Sequence, residues 1–158
     1  MAGHIWPMSR SLLPAFGSDG FSILELATVL LLMGLSVGSL LPAARHQLDR
    51  MAVLGAREEV AGLFHRARFE AVAQGGSALH LDSRVVSVTL SAGGVVLDQS
   101  GLADEYGISL TLSSGRLQAD LTFDPLGLGR VASQTLRFRR GRAETALVVS
   151  SFGRIVRE

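Results

Sequence analysis

A run of 21 residues near the start of the chain, residues 21–41, is apolar apart from one charged residue, Glu25. As an α-helix this run is about 32 Å long, and the hydrocarbon core of a bilayer is about 30 Å thick. A carboxylate at the centre of such a helix is unfavourable by roughly 2.5–3.5 kcal/mol. The run therefore predicts a membrane-spanning helix, and Glu25 needs a specific role that offsets its cost.

Gly20 and the six residues after it, Gly-Phe-Ser-Ile-Leu-Glu-Leu, resemble the prepilin signature Gly-Phe-Thr-Leu-Ile-Glu-Leu of type IV pilins and type II secretion pseudopilins. The resemblance implies that a prepilin peptidase cuts between Gly20 and Phe21 and methylates the new amino terminus, Phe21. It also implies that Glu25, the fifth mature residue, registers each subunit against its neighbour. In lipid, the amine of an adjacent subunit's Phe21 can match this carboxylate, so the cost of Glu25 favours assembly. Ser22 departs from the signature's Thr.

Residues 1–20 are interpreted as the prepilin leader. The apolar run follows the proposed cut and is retained, unlike that of an ordinary secretory signal. Arg10 is the only arginine or lysine of the leader, and Asp19 adjoins the cut, whereas family leaders are usually basic. Met8 is an alternative start that gives a leader of 13 residues. An ordinary signal anchor, with Glu25 facing the headgroups, is the alternative interpretation.

Helical periodicity continues after the apolar run. Apolar residues three and four apart form one face of an amphipathic helix: Ala52, Ala56, Val60, Leu63, Phe64, Ala67 and Ala71. Pro42 removes a helix hydrogen bond, which predicts a kink or local melting, and many pilins carry proline at this mature position. Gly75 and Gly76 are expected to end the helix. The sequence thus predicts one long helix from residue 21, transmembrane to residue 41 and amphipathic over residues 42–74.

From Ser77 onward the apolar pattern alternates, which is typical of strands. Seven short strands are predicted, at residues 79–81, 86–90, 95–97, 108–112, 121–123, 136–138 and 147–149. Turn-forming pairs such as Gly93-Gly94 and Asp124-Pro125 separate them. The predicted fold class is α+β, with the long helix packed on a small antiparallel β-sheet or sandwich over residues 75–158, a pilin-like fold.

Two segments near the C-terminus carry a second resemblance. Residues 123–127 read Phe-Asp-Pro-Leu-Gly, and residues 151–155 read Ser-Phe-Gly-Arg-Ile. They are similar to the aromatic-x-Pro-x-Gly turn and the terminal Gly-Arg-hydrophobic segment of minor pseudopilins of the GspH and FimT type. The likeness to the family extends over residues 20–156.

Arginine is concentrated in the last 29 residues, where the only acidic residues are Glu144 and Glu158. The seven arginines are Arg130, Arg137, Arg139, Arg140, Arg142, Arg154 and Arg157. Guanidinium groups suit phosphate contacts, and some FimT-type pilins bind DNA through a basic C-terminal region. The candidate DNA or partner contacts are Arg137, Arg139, Arg140, Arg142 and Arg154. Arg137 and Arg139 alternate with apolar residues, so both should lie on the exposed face of one strand. The alternative explanation of the cluster is a solvated sheet face, or charges that steer a neighbouring pseudopilin or an acidic exoprotein.

No pattern in the sequence indicates catalysis or a metal site. Four scattered histidines do not form a ligand set, and no serine lies in a Gly-x-Ser-x-Gly elbow. Gly127-x-Gly129 lacks the strand-to-helix setting of a dinucleotide loop. The chain has no cysteine, so its fold needs no disulfide, and its net charge of +1 gives no global attraction to nucleic acid. We expect no enzyme, metal or cofactor.

Two functions stay open. The first is a minor pseudopilin, a structural subunit of the periplasmic pseudopilus of a type II secretion system. Its implied partners are the prepilin peptidase, other major and minor pseudopilins, the inner-membrane assembly platform and secreted cargo. The alternative is a FimT-like minor pilin of a type IV pilus, binding DNA during uptake. The resemblance places a single span in the inner membrane, the N-terminus in the cytoplasm and the globular domain in the periplasm.

Overall fold

The computed structural model describes residues 22–130 and 133–158. The proposed leader, Gly20 and Phe21 lie outside the described residues. Within the described part, the elements in chain order are α1 (Ile23–Gln74), β1 (Ser77–Asp82), β2 (Ser87–Ala92), β3 (Val95–Gly101), α2 (Leu102–Tyr106), β4 (Ser109–Leu112), β5 (Gln118–Phe123), β6 (Gly129–Arg130), β7 (Gln134–Arg140), β8 (Ala143–Val149) and β9 (Ile155–Arg157). A 3₁₀ turn at Ser113–Gly115 joins β4 to β5. The fold is α+β, as predicted.

The chain divides into two units, residues 1–39 and residues 40–158. In the first unit, every described side chain from Ser22 to Ser39 is exposed. No residue of its most apolar 18-residue window is buried, and α1 is long and apolar enough to cross a membrane. The beginning of α1 is therefore a candidate membrane span near the N-terminus.

Pro42 lies inside α1, and the residues on both sides of it are helical. Of the two effects predicted there, local melting is therefore wrong. Proline removes one amide donor and its ring crowds the carbonyl of Gly38, but the helix extends through this position. A kink at Pro42 stays a prediction.

The predicted apolar face of α1 is confirmed in the second unit. Six of its seven predicted members are buried, namely Ala56, Val60, Leu63, Phe64, Ala67 and Ala71, and Val53 and Ala61 join them. Ala52 is only partly buried, at the margin of the core. The helix ends where expected: Gly75 and Gly76 follow its last residue with φ of +79° and +140°, which residues with a Cβ adopt poorly.

Two antiparallel sheets pack with α1 around one core. The first has the strand order β3-β2-β1-β5-β6, and the second has the order β4-β7-β8-β9. The core joins α1 to both sheets; its fully buried large side chains include Phe64, Leu79, Leu121, Leu136, Phe138 and Leu147. Phe64 and Phe123 meet edge to face, with ring centroids 6.1 Å apart and ring planes at 82°.

All seven predicted strands are observed, and three short elements were not predicted. The strands β6 and β9 have two and three residues, and α2 has five, so none is long enough to show a period.

Tyr106 at the end of α2 packs on Gly55 of α1, where an added Cβ would lie 2.8 Å from Cε1 of the ring. A hydrogen bond with Glu59 of α1 raises the pKa of the Tyr106 hydroxyl.

Removing the aromatic ring at the centre of the core tests this packing. We expect Phe64→Ala to lower the free energy of unfolding by about 3–5 kcal/mol, because Phe64 is 1% exposed and its removal leaves a cavity. The matched control is Phe69→Ala on the same helix, which should change stability by about 0.5 kcal/mol or less because Phe69 is 72% exposed. Denaturant unfolding of the full chain in detergent, followed by circular dichroism, measures both. Equal losses in the two variants would contradict the core.

Candidate functional site

The carboxylate of Glu25 lies in the first turn of α1. Residues 22–25 have the Ser-x-x-Glu spacing of a capping box, and the amide of Glu25 donates to Oγ of Ser22 at 3.1 Å. Serine is a good N-cap, so Ser22 is suited to the position before the first turn of α1. The amino end of a helix also carries partial positive charge, which stabilises a carboxylate there.

Other polar side chains of the apolar segment bond to their own helix. The hydroxyls of Thr28, Ser36 and Ser39 donate to the backbone carbonyls of Leu24, Leu32 and Ser36 at 2.7, 2.8 and 2.8 Å. This pattern satisfies hydroxyl groups in an environment without water. Among residues 22–130 and 133–158, no donor is bonded to the Glu25 carboxylate.

Two of the C-terminal arginines bind acidic residues of α1. Nε of Arg140 lies 3.0 Å from Oδ1 of Asp49, and its Nη1 donates to the carbonyl of Tyr106 at 2.5 Å. Nε of Arg157 lies 3.0 Å from both carboxylate oxygens of Glu58. These two arginines therefore connect strands β7 and β9 to the helix, and Arg140 is less available to an external ligand than its position in the cluster suggested.

Arg137 and Arg139 lie on the exposed face of β7, and the prediction that they share this face is confirmed. Nη1 of Arg137 lies 3.0 Å from Oε1 of Glu144 on β8. Glu144 is also the residue directly opposite Arg139 in the antiparallel pair. The exposed face of the sheet thus carries a carboxylate beside its two arginines, which reduces its attraction for phosphate.

The remaining two candidate arginines lie far apart. Arg142 immediately precedes β8, and Arg154 belongs to the turn that follows β8. The strand has seven residues, so its ends are about 20 Å apart at roughly 3.3 Å per residue. The five candidate residues therefore do not form one compact patch: Arg137 and Arg139 are adjacent, whereas Arg142 and Arg154 lie at opposite ends of a strand.

An exposed apolar surface was missed by sequence reasoning. Its residues, named here the apolar loop surface, are Phe69, Val72, Leu126, Leu128 and Phe152. Their segments adjoin one another: an added Cβ on Gly127 would lie 3.2 Å from Cγ2 of Val72, and one on Gly129 would lie 2.9 Å from Cα of Gly153. Exposed apolar clusters of this kind are typical of protein contacts. The sequence did contain a signal for this surface: Leu126 and Leu128 are large apolar residues inside a Pro- and Gly-rich turn.

The turn at residues 124–128 owes its shape to one carboxylate. Oδ1 of Asp124 accepts hydrogen bonds from the amides of Leu126 and Leu128 at 3.0 and 2.9 Å. Arg68 of α1 donates through Nε to the carbonyl of Gly127 at 3.1 Å. The Phe-Asp-Pro-Leu-Gly motif is therefore a hydrogen-bonded turn that contacts α1. This turn presents Leu126 to solvent.

Across the described ranges, no group of three or more His, Cys, Asp or Glu side chains is arranged to hold a metal ion. Comparisons with protein-family models, with characterised proteins and with solved structures found no match.

The different surroundings of two neighbouring arginines give a direct test of this geometry. Arg140→Gln should lower the free energy of unfolding by about 1 kcal/mol, because it loses a partly exposed ion pair with Asp49 and a charged hydrogen bond to Tyr106. Arg139→Gln, the matched control one residue away, should change stability by about 0.5 kcal/mol or less. Denaturant midpoints of the two variants decide the matter, and a larger loss for Arg139→Gln would contradict the assignment.

Proposed function

We propose that this chain is a minor pseudopilin, a structural subunit of the pseudopilus of a type II secretion system. The observation that carries the proposal is the dual character of α1. Its first part is apolar and exposed and holds the lone carboxylate Glu25, and its second part forms the core of an α+β domain. Such a helix suits a subunit that is stored in a membrane and assembled through its amino-terminal end.

Glu25 supplies the driving force in this proposal. Ser22 accepts a hydrogen bond from the backbone amide of Glu25, so this cap does not engage the side chain, and in lipid a carboxylate there gains from a positive partner on another molecule. A mature amino terminus at Phe21 of the adjacent subunit is such a partner. Prepilin peptidase would create that terminus by cutting after Gly20 and methylating Phe21. The carboxylate therefore disfavours an isolated subunit and favours an assembled one.

The proposed setting follows the prepilin resemblance. The chain crosses the inner membrane once, with its N-terminus in the cytoplasm and its globular domain in the periplasm. Its partners are the prepilin peptidase, the other major and minor pseudopilins, the inner-membrane assembly platform and secreted cargo. The apolar loop surface provides a contact area for such a protein partner. The role is mechanical and requires no catalysis, metal or cofactor.

A FimT-like minor pilin that binds DNA is the second candidate function. The observation that favours it is the adjacent, exposed pair Arg137 and Arg139 on β7. Two observations weigh against a strong DNA site: Arg137 is paired with Glu144, and Arg140 is engaged with α1. In this candidate function the exposed Arg139, Arg142 and Arg154 carry the phosphate contacts.

A complementation experiment separates the two functions. In the native host lacking the gene, we expect loss of protein secretion that the wild-type gene restores and Glu25→Gln does not, because the neutral amide has no negative charge to form an ion pair with a protonated amine. Glu105→Gln, an exposed carboxylate on α2, is the matched control and should restore secretion. Membrane levels of each variant are measured in parallel, so that poor expression is not mistaken for failed assembly.

Natural transformation is measured in the same strains. A normal secretion profile combined with a transformation defect, rescued by the wild type but not by Arg139→Gln/Arg154→Gln, would replace the first function by the second. Full rescue of both phenotypes by Glu25→Gln would contradict the role of Glu25 in either.

A further inference from the structure

An open cavity of about 290 Å³ lies between α1 and the β7–β8 turn. It is lined by His46 and Arg50 of α1 and by Arg142, Ala143 and Glu144. The turn approaches the helix closely: an added Cβ on Gly141 would lie 2.6 Å from Oδ2 of Asp49. Residues about 95 positions apart in the chain are thus brought to one site by the fold.

The cavity has an excess of positive groups. Glu144, which lines it, is bound to Arg137 at 3.0 Å. Asp49, the neighbour of Arg50 in the chain, is bound to Arg140 at 3.0 Å. Arg50 and Arg142 are exposed residues. Arginine binds phosphate oxygens through two parallel N–H groups, and the imidazole of His46 adds a further donor.

The position of the cavity in the chain points to a bilayer as the source of the phosphate. His46 follows the end of the apolar run at residue 41 by five helical steps, about 7.5 Å. The headgroup layer is about 5–7 Å thick on each side of the hydrocarbon core. Arg50 lies one further turn of the helix away from the apolar run. Because Cα–Cβ bonds of a helix tilt toward its amino end and arginine side chains are long, the guanidinium group of Arg50 can still reach the headgroup layer.

Two apolar residues on the same stretch of α1 support this placement. Leu48 and Met51 are 63% and 69% exposed. A helix that exposes apolar side chains next to basic ones suits the boundary between headgroups and acyl chains. A site for a free phosphate ion in water would not require these two side chains.

We propose that His46, Arg50 and Arg142 bind the phosphate of an anionic phospholipid headgroup, in the leaflet on the same side as the domain. The proposal requires that α1 crosses a membrane, but it does not depend on secretion or DNA uptake.

Native mass spectrometry of the full chain in neutral detergent tests the proposal. The probes are phosphatidylglycerol, phosphatidylcholine with the same acyl chains, and inorganic phosphate. We expect phosphatidylglycerol to bind about 25-fold more tightly than phosphatidylcholine, since each of the two arginines contributes roughly fivefold. Arg50→Gln/Arg142→Gln should abolish this preference. The matched control Arg84→Gln/Arg116→Gln, which alters two exposed arginines elsewhere in the domain, should retain it.

Each alternative outcome overturns the proposal. Equal binding of the two lipids, or a preference that survives Arg50→Gln/Arg142→Gln, removes the site. Inorganic phosphate that competes fully with phosphatidylglycerol assigns the cavity to a free anion. Circular dichroism of both double variants verifies that the domain is folded. A variant that loses the lipid preference but secretes normally leaves the proposed secretion function unaffected. The lipid site and the secretion function can therefore be disproved independently.

Discussion

The burial of one face of α1 is the contact on which the domain depends. Each antiparallel sheet has an apolar inner face that must be covered, and the side chains of Val60, Phe64 and Ala67 lie in the same core as residues of both sheets. Small alanines let the backbone of the helix approach closely, and Phe64 fills the central volume. Because the same helix begins with the exposed apolar segment, the candidate anchor and the core of the domain belong to one element.

Charge is used in two different ways around this core. Arg140 and Arg157 bind acidic residues of α1 and hold the second sheet to the helix. Arg139 and Arg142 are exposed. A count of arginines in the C-terminal segment therefore overstates the charge available to a ligand. The exposed remainder is better suited to local contacts, with a headgroup or a neighbouring subunit, than to a continuous track along DNA.

Periodic features could be predicted from the sequence because their physical causes are local. The steps of three and four from Ala56 to Ala71 specify a buried helix face, and alternation specifies each of the seven predicted strands. The short elements α2, β6 and β9 are stabilised by contacts between distant segments, such as Tyr106 on Gly55. The pairing of Arg140 with Asp49 depends on the approach of the β7–β8 turn to α1, and no local pattern encodes it. The apolar loop surface has a local signal in Leu126 and Leu128, but its extent depends on the approach of distant segments, such as Gly127 to Val72.

We propose that the chain is matured like a prepilin, by a cut after Gly20 that creates the amino terminus on which assembly depends. The most direct measurement is the intact mass of the protein purified from membranes of its native host, with and without the prepilin peptidase. Removal of the 20-residue leader from the 158 residues leaves 138. We therefore predict a chain of 138 residues that begins at Phe21 and carries one added methyl group. This mature chain should be absent when the peptidase is missing. An unprocessed chain in the presence of active peptidase would contradict the account and leave a membrane-anchored α+β domain of another purpose.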